Sequence, residues 1–157
     1  MNNITVFRPP GPVTVPDGRP LLFLAGSIDM GGAPPWQEEV IKGLADLELA
    51  VLNPRRDHWD SSWPQTIEDP RFREQVEWEL DGLERADLVA FYFSPTGPAP
   101  ITLLELGLTA RSGRLIVCCP DGYWRKGNVE IVCARFGVPL VGDLGELVRE
   151  VRSRWRG

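Results

Sequence analysis

The chain has 157 residues, 43% of them hydrophobic and 25% charged, which suits one globular domain with a real core. Its formal net charge of −5 argues against nucleic acid as a main partner, because phosphate binding needs a basic face. No signal peptide is visible and no apolar run reaches ~18 residues, so a cytoplasmic chain without a membrane contact is expected.

Residues 1–20 hold Pro9, Pro10, Pro12, Pro16 and Pro20 and read as an extended proline-rich arm. Within it Ile4-Thr5-Val6-Phe7 alternates, as a short edge strand does. Residues 21–157 read as one domain, with no internal repeat. Leu21 to Ala25 is a continuous apolar run, the signature of a strand buried on both faces. It runs into Gly26-Ser27-Ile28-Asp29-Met30-Gly31-Gly32, a loop whose glycines let a ligand approach the backbone. The loop matches neither the six-residue dinucleotide fingerprint nor a Walker loop, and a plain turn explains it equally well.

Trp36 to Leu49 is helical in pattern, with Trp36, Val40, Leu44 and Leu47 recurring at three or four residues. Pro34 and Pro35 suit its start. A second strand, Ala50 to Asn53, leads into Pro54-Arg55-Arg56-Asp57-His58-Trp59-Asp60, which packs charge and aromatic groups where open α/β sheets bind ligands. Arg55 and Arg56 read as ion-paired surface groups. Pro70 to Ala86 is a helix with the stripe Phe72, Val76, Leu80 and Leu83, and Glu79 borders that stripe.

Asp87 to Phe93 is a third strand. A loop rich in glycine and proline, Ser94 to Pro100, opens a helix over residues 100–110 that Gly113 caps. In that helix Ile101, Leu103, Leu104, Leu106, Leu108 and Ala110 point all round, the mark of a buried helix. It nevertheless carries Glu105, and Ile101 and Thr109, four residues away on either side, offer no cation. A carboxylate in such a place is either satisfied by a specific partner or kept for chemistry.

Arg114 to Cys119 is the fourth strand, Pro120 to Asn128 a loop, and Val129 to Phe136 a short helix. Val138 to Val141 is an edge-like fifth strand and Leu144 to Trp155 the closing helix. Cys118, Cys119 and Cys133 sit in apolar runs and read as reduced, buried thiols; their spacing, with the single His58, does not suit a zinc site. No metal and no cofactor is expected.

Alternating strands and helices predict a single doubly wound, flavodoxin-like five-stranded parallel sheet with helices on both faces. Its expected strand order, 2-1-3-4-5, gathers the loops after strands one to four at one crevice. Glu105 and Glu79 then flank that crevice. Two carboxylates are the minimum equipment for glycosyl transfer with retention: one attacks the anomeric carbon, the other moves protons or holds the sugar. For the remaining loop residues Asp29, Asn53, Asp57 and Trp59, contact with a nucleobase competes with turn capping, solvation or core packing; Trp36 is open in the same way.

Three segments carry a family resemblance: Phe23-Leu24-Ala25-Gly26-Ser27, the run Glu79 to Asp87, and Leu104-Glu105-Leu106-Gly107-Leu108-Thr109-Ala110 continuing to Pro120-Asp121-Gly122-Tyr123. Over about residues 21–142 the chain resembles the nucleoside 2-deoxyribosyltransferase family. The resemblance implies that Glu105 attacks C1′ of a 2′-deoxynucleoside, forms a deoxyribosyl ester and releases the base, and that a second base or water then takes the sugar. It implies that Glu79 stands where the family often has aspartate. It also implies that Asn128, allowing a one-residue gap, reaches a neighbouring subunit's site in a homo-oligomer, a dimer or an assembly of dimers. The expected partners are a small deoxynucleoside and a free nucleobase, bound by Gly26, Ser27, Ile28, Asp29, Asn53, Asp57, Trp59 and Asn128.

Two departures sharpen the substrate. The family's aspartate several residues before the nucleophile is replaced by Ala99 and Pro100. Related nucleoside-monophosphate hydrolases carry an arginine where this chain has Asp29, and their phosphate loop is here Thr96-Gly97-Pro98-Ala99-Pro100, whose prolines have no N–H to donate. The first leaves the usual sugar-hydroxyl contact without its aspartate; Asp29 and the proline-containing loop favour an unphosphorylated nucleoside. The alternatives are an N-glycosidase with water as acceptor and a non-catalytic nucleotide-binding module.

Overall fold

A computed structural model describes residues 3–28, 34–56 and 62–155. The elements run β1 (Thr5–Phe7), β2 (Leu21–Gly26), α1 (Trp36–Gly43), β3 (Ala50–Leu52), α2 (Pro70–Arg85) and β4 (Leu88–Tyr92). They continue with α3 (Pro100–Thr109), β5 (Leu115–Cys118), α4 (Lys126–Phe136), β6 (Leu140–Val141) and α5 (Leu144–Arg154). Among these residues the sheet has six strands, in the order β1-β3-β2-β4-β5-β6, and every neighbouring pair is parallel.

Six strands, not five, is the first correction to the expected fold. The extra strand comes from the proline-rich arm: Thr5, Val6 and Phe7 pair with Ala50, Val51 and Leu52. Three alternating residues free of proline suffice to extend the sheet at its edge. Arg8 holds the arm further along, bonding Glu38 at 2.7 Å and the Arg55 carbonyl at 3.3 Å.

The two faces of β2 explain the layers. Leu21, Phe23 and Ala25 point to one side and pack with Leu83 of α2, Leu106 of α3 and Val129 and Cys133 of α4. Leu22 and Leu24 point to the other, against Trp36, Val40 and Leu44 of α1 and Leu147 and Val151 of α5. A period of two on a strand buried on both sides produces this split, and it makes the continuous apolar run obligatory. Three helices thus cover one face and two the other. All three cysteines are free and buried, as expected.

Three element boundaries differ from expectation. α1 stops at Gly43, a poor helix former, and Leu44 and Leu47 keep helical spacing only within the turns that return the chain to β3. α4 begins at Lys126, so Asn128 stands in its first turn rather than in the preceding loop. The last strand shortens to Leu140–Val141, because Pro139 offers only its carbonyl, which accepts from the Val117 N–H at 2.9 Å. Among the described residues no helix is long and apolar enough to cross a membrane.

Candidate active site

β2 and β4 pair from Leu22↔Leu88 to Gly26↔Tyr92, and the chain leaves them toward opposite faces of the sheet. A crevice therefore opens beyond Gly26 and Tyr92. Its floor is tied by Ser27, which is fully buried. The Ser27 N–H donates to the Tyr92 carbonyl at 3.0 Å, and the Ser27 hydroxyl accepts from the Ser94 N–H at 2.9 Å. The Trp36 indole N–H donates to the Ser27 carbonyl at 3.0 Å. Ile28 follows, half-buried.

Gly26 serves this packing. A Cβ built on it would lie 2.5 Å from the Trp36 ring and 2.5 Å from the Tyr92 carbonyl oxygen. The space that a side chain would need belongs to the indole.

α3 is aimed by the loop that precedes it. Ala99, at φ 44°, turns the chain in the left-handed region, and Pro100 then supplies the helical φ at the first position. The Pro98 carbonyl accepts from the Tyr123 hydroxyl at 2.7 Å and from the Trp124 indole at 3.0 Å, which joins this loop to the one after β5. Gly113, at φ 74°, ends the segment that follows the helix. Thr102, Glu105, Leu106 and Thr109 face inward.

The expectation of a helix buried on every side is corrected here. Ile101, Leu104 and Leu108 are 59%, 58% and 60% exposed, while Glu105 is only 6% exposed. The helix has two faces, and the carboxylate occupies the inner one with an apolar stripe facing out. The apolar content alone could not say which side the sheet would take.

Glu79 approaches from α2, itself set by Asp69, whose carboxylate caps the Arg71 and Phe72 N–H groups at 2.9 and 3.2 Å. One turn before Glu79, Gln75 is buried and donates from Nε2 to a Glu79 oxygen at 3.3 Å and to the Pro54 carbonyl at 3.2 Å. Its Oε1 accepts from Nε of Arg56, whose guanidinium also lies over the Trp63 ring. Arg56 forms the expected ion pair, with Glu74 at 3.9 Å, but its side chain is only 14% exposed, so it is not the surface group expected. Gln75 was not singled out in the sequence, and Arg56 was read only as an ion-paired surface group. The signal was the spacing of Gln75 four residues before Glu79, on the same helical face.

Burial raises the pKa of Glu105 well above the ordinary carboxylate range, and the negative charge of Glu79 adds to the rise. Burial likewise raises Glu79, opposed by the Gln75 hydrogen bond and the Arg56 charge. The two groups titrate as a coupled pair, so each holds its proton to higher pH than an isolated carboxyl does. When one of the two ionises, the pair offers one carboxylate and one acid.

Asn53, directly after β3, is 1% exposed, and its oxygen accepts from the Arg55 N–H at 3.1 Å. Arg55 donates to the Pro34 carbonyl at 2.8 Å and to Gln37 Oε1 at 3.3 Å. Because both amide oxygens already accept from groups that can only donate, the free ends of Asn53 and Gln37 must be their NH₂ groups. These two, and Nη2 of Arg56, are buried and find no hydrogen-bond partner among the described residues. Asn128 is exposed in the first turn of α4. The expected contacts Asp29, Asp57 and Trp59 lie outside the described residues. A groove of about 390 Å³ runs along α2 past Arg73, Glu74, Glu77 and Asp81, but it touches neither Glu79 nor Glu105, and its acidic rim offers no chemistry beyond solvation. Among the described residues no cluster of three His, Cys, Asp or Glu side chains is placed to hold a metal.

The parallel sheet with helices on both faces defines the class: an α/β protein, here with two coupled, buried carboxylates, Glu79 and Glu105. The nucleoside 2-deoxyribosyltransferase-like family model matches residues 19–123, more than half of the chain, and the chain belongs to that family. A search of curated proteins finds no match. Among solved structures, a conserved protein from Enterococcus faecalis V583 superposes with a TM-score of 0.60 at 11% identity. The alignment covers 87% of this chain and 99% of that one, and at this identity it supports the fold alone. Membership points to nucleoside-related glycosyl transfer and to nucleoside substrates.

Proposed function

We propose that the protein transfers the 2-deoxyribosyl group of a 2′-deoxynucleoside from one nucleobase to another through an ester on Glu105. The observation that carries this reading is the buried Glu105 beside Glu79, each raised by burial and coupled to the other, in a chain of this family.

The proton inventory supports the chemistry. In the free protein Gln75 and Arg56 favour the negative charge on Glu79, so when one of the two ionises the remaining proton rests mainly on Glu105. Positive charge growing at C1′ reverses this preference, because it favours the ionised form of the nearer carboxylate. The proton then passes to Glu79. An oxygen of ionised Glu105 forms a bond to C1′ while the C1′–N bond breaks; its electron pair stays with the base nitrogen, which takes the proton from Glu79. Attack by a second base reverses each step. The free NH₂ groups of Asn53 and Gln37 suit carbonyl acceptors on a base. Ala99 and Pro100 leave the sugar hydroxyl without the family's aspartate, and the Pro98 carbonyl is already taken by Tyr123 and Trp124. Positioning of the sugar thus falls more heavily on Glu79. Asn128, exposed in the first turn of α4, is free to reach a neighbouring subunit in an oligomer.

The test is a mass balance with deoxyinosine and adenine. Transfer yields deoxyadenosine and hypoxanthine in equal amounts. Release of free deoxyribose at a rate indifferent to adenine would instead show a glycosidase, and binding without turnover a non-catalytic module.

A further inference from the structure

We propose that Tyr123 is a positioning residue for Glu105: its hydroxyl clamps the Pro98 carbonyl and so fixes where α3 begins. The inference rests on the reading of Glu105 as the group that takes the sugar. α3 lacks the ordinary devices that fix a helix start. No side chain caps its first turn, and Pro100 at the first position has no N–H. The start is set by Ala99, at φ 44° and ψ 55°. Among the described residues it is the one residue other than glycine with a positive φ. The alanine Cβ is strained in this region, and such strain persists only where the surroundings hold it.

The holding comes from the loop after β5. The Tyr123 hydroxyl donates to the Pro98 carbonyl at 2.7 Å, and the Trp124 indole N–H donates to the same oxygen at 3.0 Å. One hydrogen bond is comparable in size to the strain of one left-handed alanine, and two outweigh it. The arrangement does more than satisfy a buried hydroxyl. Trp124 is 59% exposed, so its N–H has water within reach and still donates to this carbonyl. The Tyr123 ring is buried against Phe93, with centroids 4.9 Å apart, and Phe93 directly follows β4. The hydroxyl therefore holds the start of α3 at a set distance from the end of the sheet. Gly122, at φ 98°, packs the two loops together a second time, since a Cβ there would lie 3.3 Å from the Pro95 side chain. Glu105 stands six residues after Ala99, ~9 Å along the helix axis, so a tilt of ~5° at the start moves it by ~0.8 Å. A displacement of ~1 Å at a reacting group costs ~100-fold in rate.

Tyr123→Phe keeps the ring and removes the clamp. Hydrogen exchange of the full chain tests the clamp without reference to the reaction. The Leu103 N–H donates to the Ala99 carbonyl at 3.2 Å, the first bond of α3, whereas the Val89 and Val117 N–H groups are bonded in the sheet region. In the variant, Leu103 exchange should accelerate ~10-fold relative to Val89 and Val117. Equal acceleration of all three, or none, overturns the inference. Rapid-quench mass measurement with deoxyinosine and no acceptor base tests the consequence. The variant should reach the wild-type amount of deoxyribosyl adduct ~10- to 100-fold more slowly. Adduct formed at the wild-type rate, in full or reduced amount, makes Tyr123 a packing residue and overturns the inference as well. A wild-type chain that forms no adduct counts against the proposed reaction alone, and Leu103 exchange still decides the clamp.

Discussion

Gly26→Ala separates two roles for the glycine that ends β2. If the residue is there for close approach of a ligand, the variant loses activity and keeps its stability. The geometry predicts the opposite order of effects. The new methyl group would lie 2.5 Å from the Trp36 ring and from the Tyr92 carbonyl, about 1 Å inside ordinary contact, and both neighbours are in the core. Overpacking of this kind costs about 1–3 kcal/mol. Displacing Trp36 also strains its 3.0 Å bond to the Ser27 carbonyl, worth about 1 kcal/mol more. The total, about 2–4 kcal/mol, corresponds to a fall in Tm of roughly 5–15 °C for a domain of this length. Urea unfolding followed by tryptophan fluorescence reads it directly, since Trp36 is itself at the contact. A variant within 0.5 kcal/mol of wild type (about the error of such measurements) that has nevertheless lost turnover would refute the packing account.

The raised carboxylates predict how stability depends on pH. The folded chain binds protons at Glu79 and Glu105 that an unfolded glutamate releases near pH ~4.3, so the contribution of these two groups to stability is fully present below that value and is lost as pH rises through neutrality. Glu105→Gln should flatten this slope and be the more stable protein at pH 8, by on the order of 1 kcal/mol or more, in matched denaturant titrations. A steeper slope in the variant contradicts the assignment. Gln75→Met removes the amide that holds Glu79, and it should lower kcat/KM about 10- to 100-fold while moving the pH–rate limb upward, because the group that favoured ionised Glu79 is gone. An unmoved limb would reduce Gln75 to packing.

The parallel α/β architecture was legible because β2, β4 and β5 are buried on both faces and must be apolar at every position. Five strands and five helices follow from that pattern and its punctuation. The sixth strand was harder to read, since a three-residue edge at Thr5–Phe7 differs little from an extended arm until its partner is known. Glu105 was visible as a carboxylate among apolar neighbours. Its environment was not: the helix exposes Ile101, Leu104 and Leu108, and the composition of α3 is the same whichever face turns inward. Gln75 was missed, and Arg56 was read only as an ion-paired surface group, because their contact joins the end of β3 to α2 across nineteen residues of chain. Gly26 shows the converse. A glycine after a first strand invites a ligand-binding reading, yet a bulky side chain ten residues later accounts for it.

The central claim is that Glu105 carries the sugar. Mixing the protein with deoxyinosine and no acceptor base, quenching in acid and measuring intact mass tests it most directly. The account predicts a species heavier by one deoxyribosyl group, mapping to the peptide that contains Glu105, absent from Glu105→Ala and discharged when adenine is added. An adduct on another residue, or turnover that persists undiminished in Glu105→Ala, would contradict it.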